Sequence, residues 1–167
     1  MDILTLSDMC DKKACEIIKK AVREERNIVI TGGNDTGKSA FQRALISKVS
    51  NDRDIRVSRV ETVSLLRQRY TSKNILGYKM GNLESHERAT VLIDNASENY
   101  ILDVLKKENC QVIAVNEILS EKIARSITVN NESAIEVVMN RDDNNKAHVV
   151  KINEINKNGE RYELYTR

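Results

Sequence analysis

Residues 11–26, DKKACEIIKKAVREER, place apolar side chains at Ala14, Ile17, Ile18, Ala21 and Val22. Spacings of three and four make one stripe of an α-helix, with Asp11 as N-cap and basic residues on the opposite face. Asn27 then opens a short apolar run, Ile28-Val29-Ile30, the pattern of a parallel strand covered on both faces. Helical spacing returns over 39–49 (SAFQRALISKV) at Phe41, Ala44, Leu45 and Val49. Residues 55–61 (IRVSRVE) alternate like a strand, and 63–70 like a short helix. The stretch 71–88 is polar, carries Gly77 and Gly81, and reads as a loop. ATVLI (89–93) and QVIAV (111–115) are two further buried-type strands, with a helix between them at Tyr100, Leu102, Val104 and Leu105. Another helix is expected over 119–126. AIEVVMN and AHVVKINEI flank a polar RDDNNK turn and predict an antiparallel hairpin, and a turn at 156–159 leads to a last strand at 161–165. Strands alternating with helices predict an α/β fold with a mainly parallel sheet and a C-terminal antiparallel extension.

Composition narrows the class. The 167 residues fit one domain over the whole chain, 1–167, and 40% hydrophobic with 31% charged residues fit a packed, soluble core. No run approaches the roughly 18 apolar residues of a membrane helix. The opening MDILTLSDMC lacks the basic start and apolar segment of a signal peptide. A net charge of +2 gives no strong nucleic-acid signal. Cys10, Cys15 and Cys110 form no C-x-x-C pair, which favours free thiols in a reducing cytoplasm. The chain holds six glycines, and Gly32, Gly33 and Gly37 fall together in one loop.

That loop, Gly32-Gly33-Asn34-Asp35-Thr36-Gly37-Lys38-Ser39, fits G-x-x-x-x-G-K-[ST] between an apolar strand and a helix. Glycines let successive backbone N–H groups wrap an anion, and the helix N-terminus adds partial positive charge. The expected nucleotide contacts run from Gly32 to Ala40. Lys38 would reach the β- and γ-phosphates, and the Ser39 hydroxyl would bind Mg²⁺. Asp94 ends ATVLI, a strand expected beside the loop's own strand, and is placed as the Walker-B acid on the metal. Asn95 follows where many ATPases put a glutamate; an amide orients water but takes no proton. Glu61, at the end of IRVSRVE, is the remaining candidate for activating water. A GTPase should show N-K-x-D and D-x-x-G, but Asn156-Lys157 precedes Asn158-Gly159 and Asp94 precedes Asn95-Ala96-Ser97. His86 and His148 have no ligand-spaced Cys or acid, and Lys12, Lys13, Lys19, Lys20, Arg23 and Arg26 read as a solvated helix face.

LTLSDMCDKKACEIIKKAVREERNIVITGGNDTGKSAFQRAL resembles the approach to the nucleotide site in the traffic ATPases of type II and type IV secretion, pilus assembly and conjugation. IRVSRVETVSL is similar to that family's Asp box, with Glu61 at its glutamate. ATVLIDNAS falls at its Walker B, QVIAVNEILS at the strand ending in its His box, and the tail from Ala134 at its closing meander.

The resemblance implies a RecA-like P-loop core that takes ATP and Mg²⁺. Lys38, Glu61 and Asp94 would be its catalytic residues, and Ser39 and Asp94 its metal ligands. It also implies homo-oligomers or partner secretion and conjugation proteins, a cytoplasmic location, and membrane contact only through partners. The departures are Asn95, Asn116 at the His-box histidine, and a start so close to the core that the family's N-terminal domain is expected to be absent. Arg67, Arg69 and Arg88 are the nearest arginines before Asp94. Two functions stay open: a weak or partner-dependent ATP hydrolase, and a regulatory or scaffold module that holds nucleotide without turning it over. A small-molecule or nucleotide kinase ranks last, because 71–88 offers only Lys73, Lys79 and Arg88 for a phosphate-gripping lid.

Overall fold

The central strands are apolar at every position because both of their faces are covered. In the computed structural model, which describes residues 4–84, 87–129 and 133–167, β1 (Ile28–Thr31), β4 (Ala89–Ile93) and β5 (Gln111–Val115) are buried throughout. Around them run β2 (Asp54–Val57), β3 (Asn74–Gly77), β6 (Ser133–Arg141), β7 (Ala147–Asn156) and β8 (Arg161–Thr166). The sheet order is β3-β2-β4-β5-β1-β6-β7-β8. Pairing is parallel from β3 through β6 and antiparallel for β6–β7 and β7–β8. An α/β fold with a mostly parallel sheet and an antiparallel C-terminal extension is therefore present.

Side-chain alternation divides the core in two. Ile28, Ile30, Ile113 and Val115 face a cluster shared with α1 (Leu6–Met9), α2 (Lys12–Arg23), α3 (Lys38–Leu45) and α4 (Val63–Arg69). Val29, Val112 and Ala114 face the other way, onto α5 (Glu98–Lys107) and α6 (Glu121–Ser126). The predicted helix faces account for this: Ala14, Ile18, Ala21 and Val22 of α2 are buried, and the Asp11 side chain accepts the Ala14 N–H at 3.0 Å as N-cap.

Four expectations are corrected. A short strand, β3, lies inside the stretch read as a loop. It is a four-residue edge strand with one buried side chain, Ile75, too short to show a period. The strand expected to run to Glu61 ends at Val57; the chain turns at Ser58 and puts Glu61 in a 3₁₀ turn over 60–62. The strand carrying Asp94 is not beside the loop's strand, because β5 is inserted between β4 and β1. Finally, Cys10 and Cys15 are joined in a disulfide instead of remaining thiols. The turn capped by Asp11 folds the end of α1 onto the first turn of α2 and brings their Cα atoms to 5.8 Å. Cys110 is free. No helix among the described residues is long and apolar enough to cross a membrane.

Candidate functional site

Parallel strands β1, β4 and β5 point their carboxyl ends at one edge of the sheet, where an open α/β sheet gathers its ligand-binding loops. The glycine loop leaves β1 there. The Gly32 N–H is held by the Glu117 carbonyl at 3.1 Å, and its φ of 146° suits glycine. A Cβ on Gly32 would stand 2.4 Å from the Met139 carbonyl oxygen. Asp35 and Gly37 are left-handed, with φ of 58° and 85°, which folds the loop back onto the start of α3. The Thr36 hydroxyl donates to the Gly33 carbonyl at 2.8 Å and pins the bend.

Gly37 is the N-cap of α3 and brings no capping side chain, so the first-turn N–H groups of Lys38, Ser39 and Ala40 open onto the loop. Lys38 Nζ donates to the Gly32 carbonyl at 2.8 Å and also to the Gly33 carbonyl. Asn34 sits on the exposed crest. Residues 32–40 thus form one contiguous turn from β1 into α3, with the Lys38 ammonium held on the loop's own carbonyls.

Asp94 leaves β4 at the same edge, with its side chain 14% exposed. Its backbone N–H donates to Ser58 Oγ at 3.1 Å, and its carboxylate lies 3.5 Å from an Arg59 guanidinium nitrogen. Arg59 also pairs with Glu61 at 3.2 Å. These residues, with Asn95, Ala96, Ser97 and Tyr100, line an open cleft of about 460 Å³. Asn95 is left-handed, φ 55°, and turns the chain into the cleft. Glu61 is exposed; its own backbone N–H, and then Arg59, hold its carboxyl below the usual range. The hydrogen bond that Arg59 donates to Glu61, together with the Asp94 charge, raises the Arg59 guanidinium. The structure brings Glu61 and Asp94 into one cleft, at the end of a strand that β5 separates from the glycine loop's own strand.

The arginines considered from sequence go elsewhere. Arg67 donates to the Ile75 carbonyl at 2.7 Å, and Arg69 to the Leu4 carbonyl at 2.6 Å. Arg88 precedes β4, at the opposite edge of the sheet, and pairs with Glu25 and with Asp52. Asn116 turns its amide onto the Ile118 carbonyl at 2.9 Å. His148 lies on β7, half-buried, and His86 is outside the described residues. Among the described residues no group of three or more His, Cys, Asp or Glu is gathered as a metal cluster.

Other residues at this edge had no sequence signal. Arg59 reads as a strand position until the chain turns. Gln42, 2% exposed on α3, donates to the carbonyls of Ile93 at 3.0 Å and Ile113 at 2.7 Å, tying the loop's helix to the end of β4 and the middle of β5. Glu136 is buried on β6 and accepts from Thr31 at 2.9 Å, Asn153 at 3.0 Å and Arg161 at 3.1 Å, which braces the residue preceding Gly32. Arg141 donates to the Asp35 carbonyl.

No family model and no curated protein matches the chain. Among solved structures it is similar to the VirB11 ATPase from the Brucella suis type IV secretion system in complex with sulphate. That likeness has 14% identity and a TM-score of 0.49, over 83% of this chain and 51% of that one. The chain therefore spans about half the length of the structure it matches.

Proposed function

We propose that this chain binds ATP with Mg²⁺ through residues 32–40, as a RecA-like P-loop module of the traffic-ATPase kind. One observation carries the nucleotide reading. The G-x-x-x-x-G-K-S segment joins a buried parallel strand to an uncapped helix, with left-handed Gly37 at the joint and the Lys38 ammonium on the loop's own carbonyls. A phosphate would take over those lysine contacts and set the ammonium against a full negative charge instead of a neutral carbonyl. The family assignment rests on the ordered sequence resemblance from Leu4 to the C-terminal meander. It brings with it the proposals of a cytoplasmic location and of assembly with copies of itself or with secretion or conjugation partners.

The donor set suits magnesium, because the Ser39 hydroxyl and the Asp94 carboxylate are hard oxygens. These two would hold the ion, which supplies charge neutralisation at the β- and γ-phosphates. Arg59 would have to yield Asp94 for that to happen. Glu61 would be the residue that orients water from the cleft. Its carboxylate is exposed and already paired with Arg59, so slow hydrolysis is the expected chemistry. The second reading, a module that holds ATP without turning it over, is favoured by the same feature and by the amide at Asn95.

Calorimetric titration with Mg-ATP and a phosphate-release assay on the same protein separate these outcomes. Wild type is expected to bind ATP, and Lys38→Ala to bind it roughly tenfold more weakly or worse. Equal affinities, or no binding by wild type, would refute the nucleotide site. Phosphate release above the Lys38→Ala background identifies a hydrolase; binding with release at background identifies the holding module.

A further inference from the structure

The loop's rim carries a cation from far along the chain. Arg141, 106 residues beyond Asp35, ends β6 at the tip of the β6–β7 hairpin. Its Nε donates to the Asp35 carbonyl and one terminal nitrogen to the Asn145 carbonyl at 2.8 Å. The hairpin presses on the loop from both of its strands. Met139 of β6 supplies the carbonyl against Gly32, and the Ala147 Cβ of β7 lies 2.4 Å from where a Gly37 Cβ would be. This packing fixes where the guanidinium stands relative to the loop.

Lys38 and Arg141 are thus two cations whose side chains donate to neutral carbonyls. Lys38 is half-buried at the loop's base, whereas Arg141 and Asp35 are exposed on its crest. We propose that Arg141 is a second phosphate-binding cation of this loop, delivered by the chain's own C-terminal hairpin, and that it sets a preference for nucleoside triphosphate over diphosphate. The inference rests on the nucleotide reading of residues 32–40. A guanidinium has five N–H donors in a fixed fork that matches phosphate oxygens, so it can exchange a neutral carbonyl partner for an anionic one without leaving the hairpin. Standing at the crest, it would add to the charge that Lys38 brings to the outer phosphates of a bound nucleotide, while the α3 amides hold the inner ones.

The test measures Mg-ATP and Mg-ADP affinities by calorimetry for wild type, Arg141→Gln and Arg141→Lys. Glutamine keeps a donor for the Asp35 carbonyl but carries no charge. It is expected to weaken ATP binding about tenfold and to leave ADP nearly unchanged. Lysine, which keeps the charge and loses the fork, should recover part of the ATP preference. Thermal melting of each variant reports folding, and the ratio of the two affinities is the deciding quantity, since loss of folded protein lowers both together. An ATP-to-ADP ratio in Arg141→Gln equal to that of wild type overturns the proposal while leaving nucleotide binding intact. A lysine variant no better than glutamine overturns it as well. If wild type binds neither nucleotide, the loop reading and this inference fall together.

Discussion

Gly37 combines two constraints that act separately at most glycines. Its φ of 85° disfavours any side chain, and its missing Cβ is the space that Ala147 fills. Gly37→Ala is expected to destabilise the fold by about 1–3 kcal/mol through strain and overpacking. Adding Ala147→Gly should return the packing part and leave the backbone part, as read from urea denaturation of the two variants. Full recovery would show that the left-handed backbone costs nothing there. At this scale legibility depended on distance along the chain. Residues 32–40 are contiguous, so one motif revealed them together. Arg59 reaches Asp94 over 35 positions and Arg141 reaches Asp35 over 106, contacts that only the folded sheet creates.

Between elements, the joint that most concerns the site is a single side chain. Gln42 is buried and hydrogen-bonded to the last residue of β4 and to β5, so α3 cannot shift along the sheet without breaking both bonds. Gln42→Met keeps the length but leaves those buried carbonyls without this donor, at an expected cost of about 1–3 kcal/mol in urea unfolding. A change below roughly 0.5 kcal/mol would mean that the carbonyls find other partners. Elements with a strong period were legible: α2 from its apolar stripe, β1, β4 and β5 from their unbroken apolar runs, and the β6–β7 hairpin from alternation around RDDNNK. The failures have a common cause. β3 and the turn after β2 are short segments at the edge of the sheet, where one or two buried side chains suffice and a solvated Arg59-Val60-Glu61 looks like a continuing strand. The order of the strands, which puts β5 between loop and acid, is a property of the crossovers and leaves no trace in hydrophobic spacing.

Across the whole molecule, the two ends of the described chain meet at Asp11. It caps α2 through the Ala14 N–H and accepts the hydroxyl of Tyr165 from the last strand. Those two hydrogen bonds, the backbone one first, hold its carboxyl below the ordinary value. A depressed carboxyl contributes stability that is complete above its unfolded value, about 3.9, and is lost as pH falls through the folded one. The melting temperature should therefore drop on acidification below about pH 4. Asp11→Asn keeps a capping oxygen and does not titrate, so its drop should be smaller than that of wild type. Identical drops would assign the acid sensitivity to other carboxylates.

The inserted strand β5 has a consequence for how such a site can change. Hydrogen-bonded strands repeat every 4.7–4.9 Å, so the loop after β1 and the acid after β4 stand about 9–10 Å apart in the plane of the sheet. That interval comes in whole steps of the lattice. Side-chain substitution can redirect Lys38 or Asp94, but only gaining or losing a strand can alter the separation of their anchors. The sheet is a ruler with one graduation per strand, and evolution of the chemistry at this edge is confined to what fits between two of its marks.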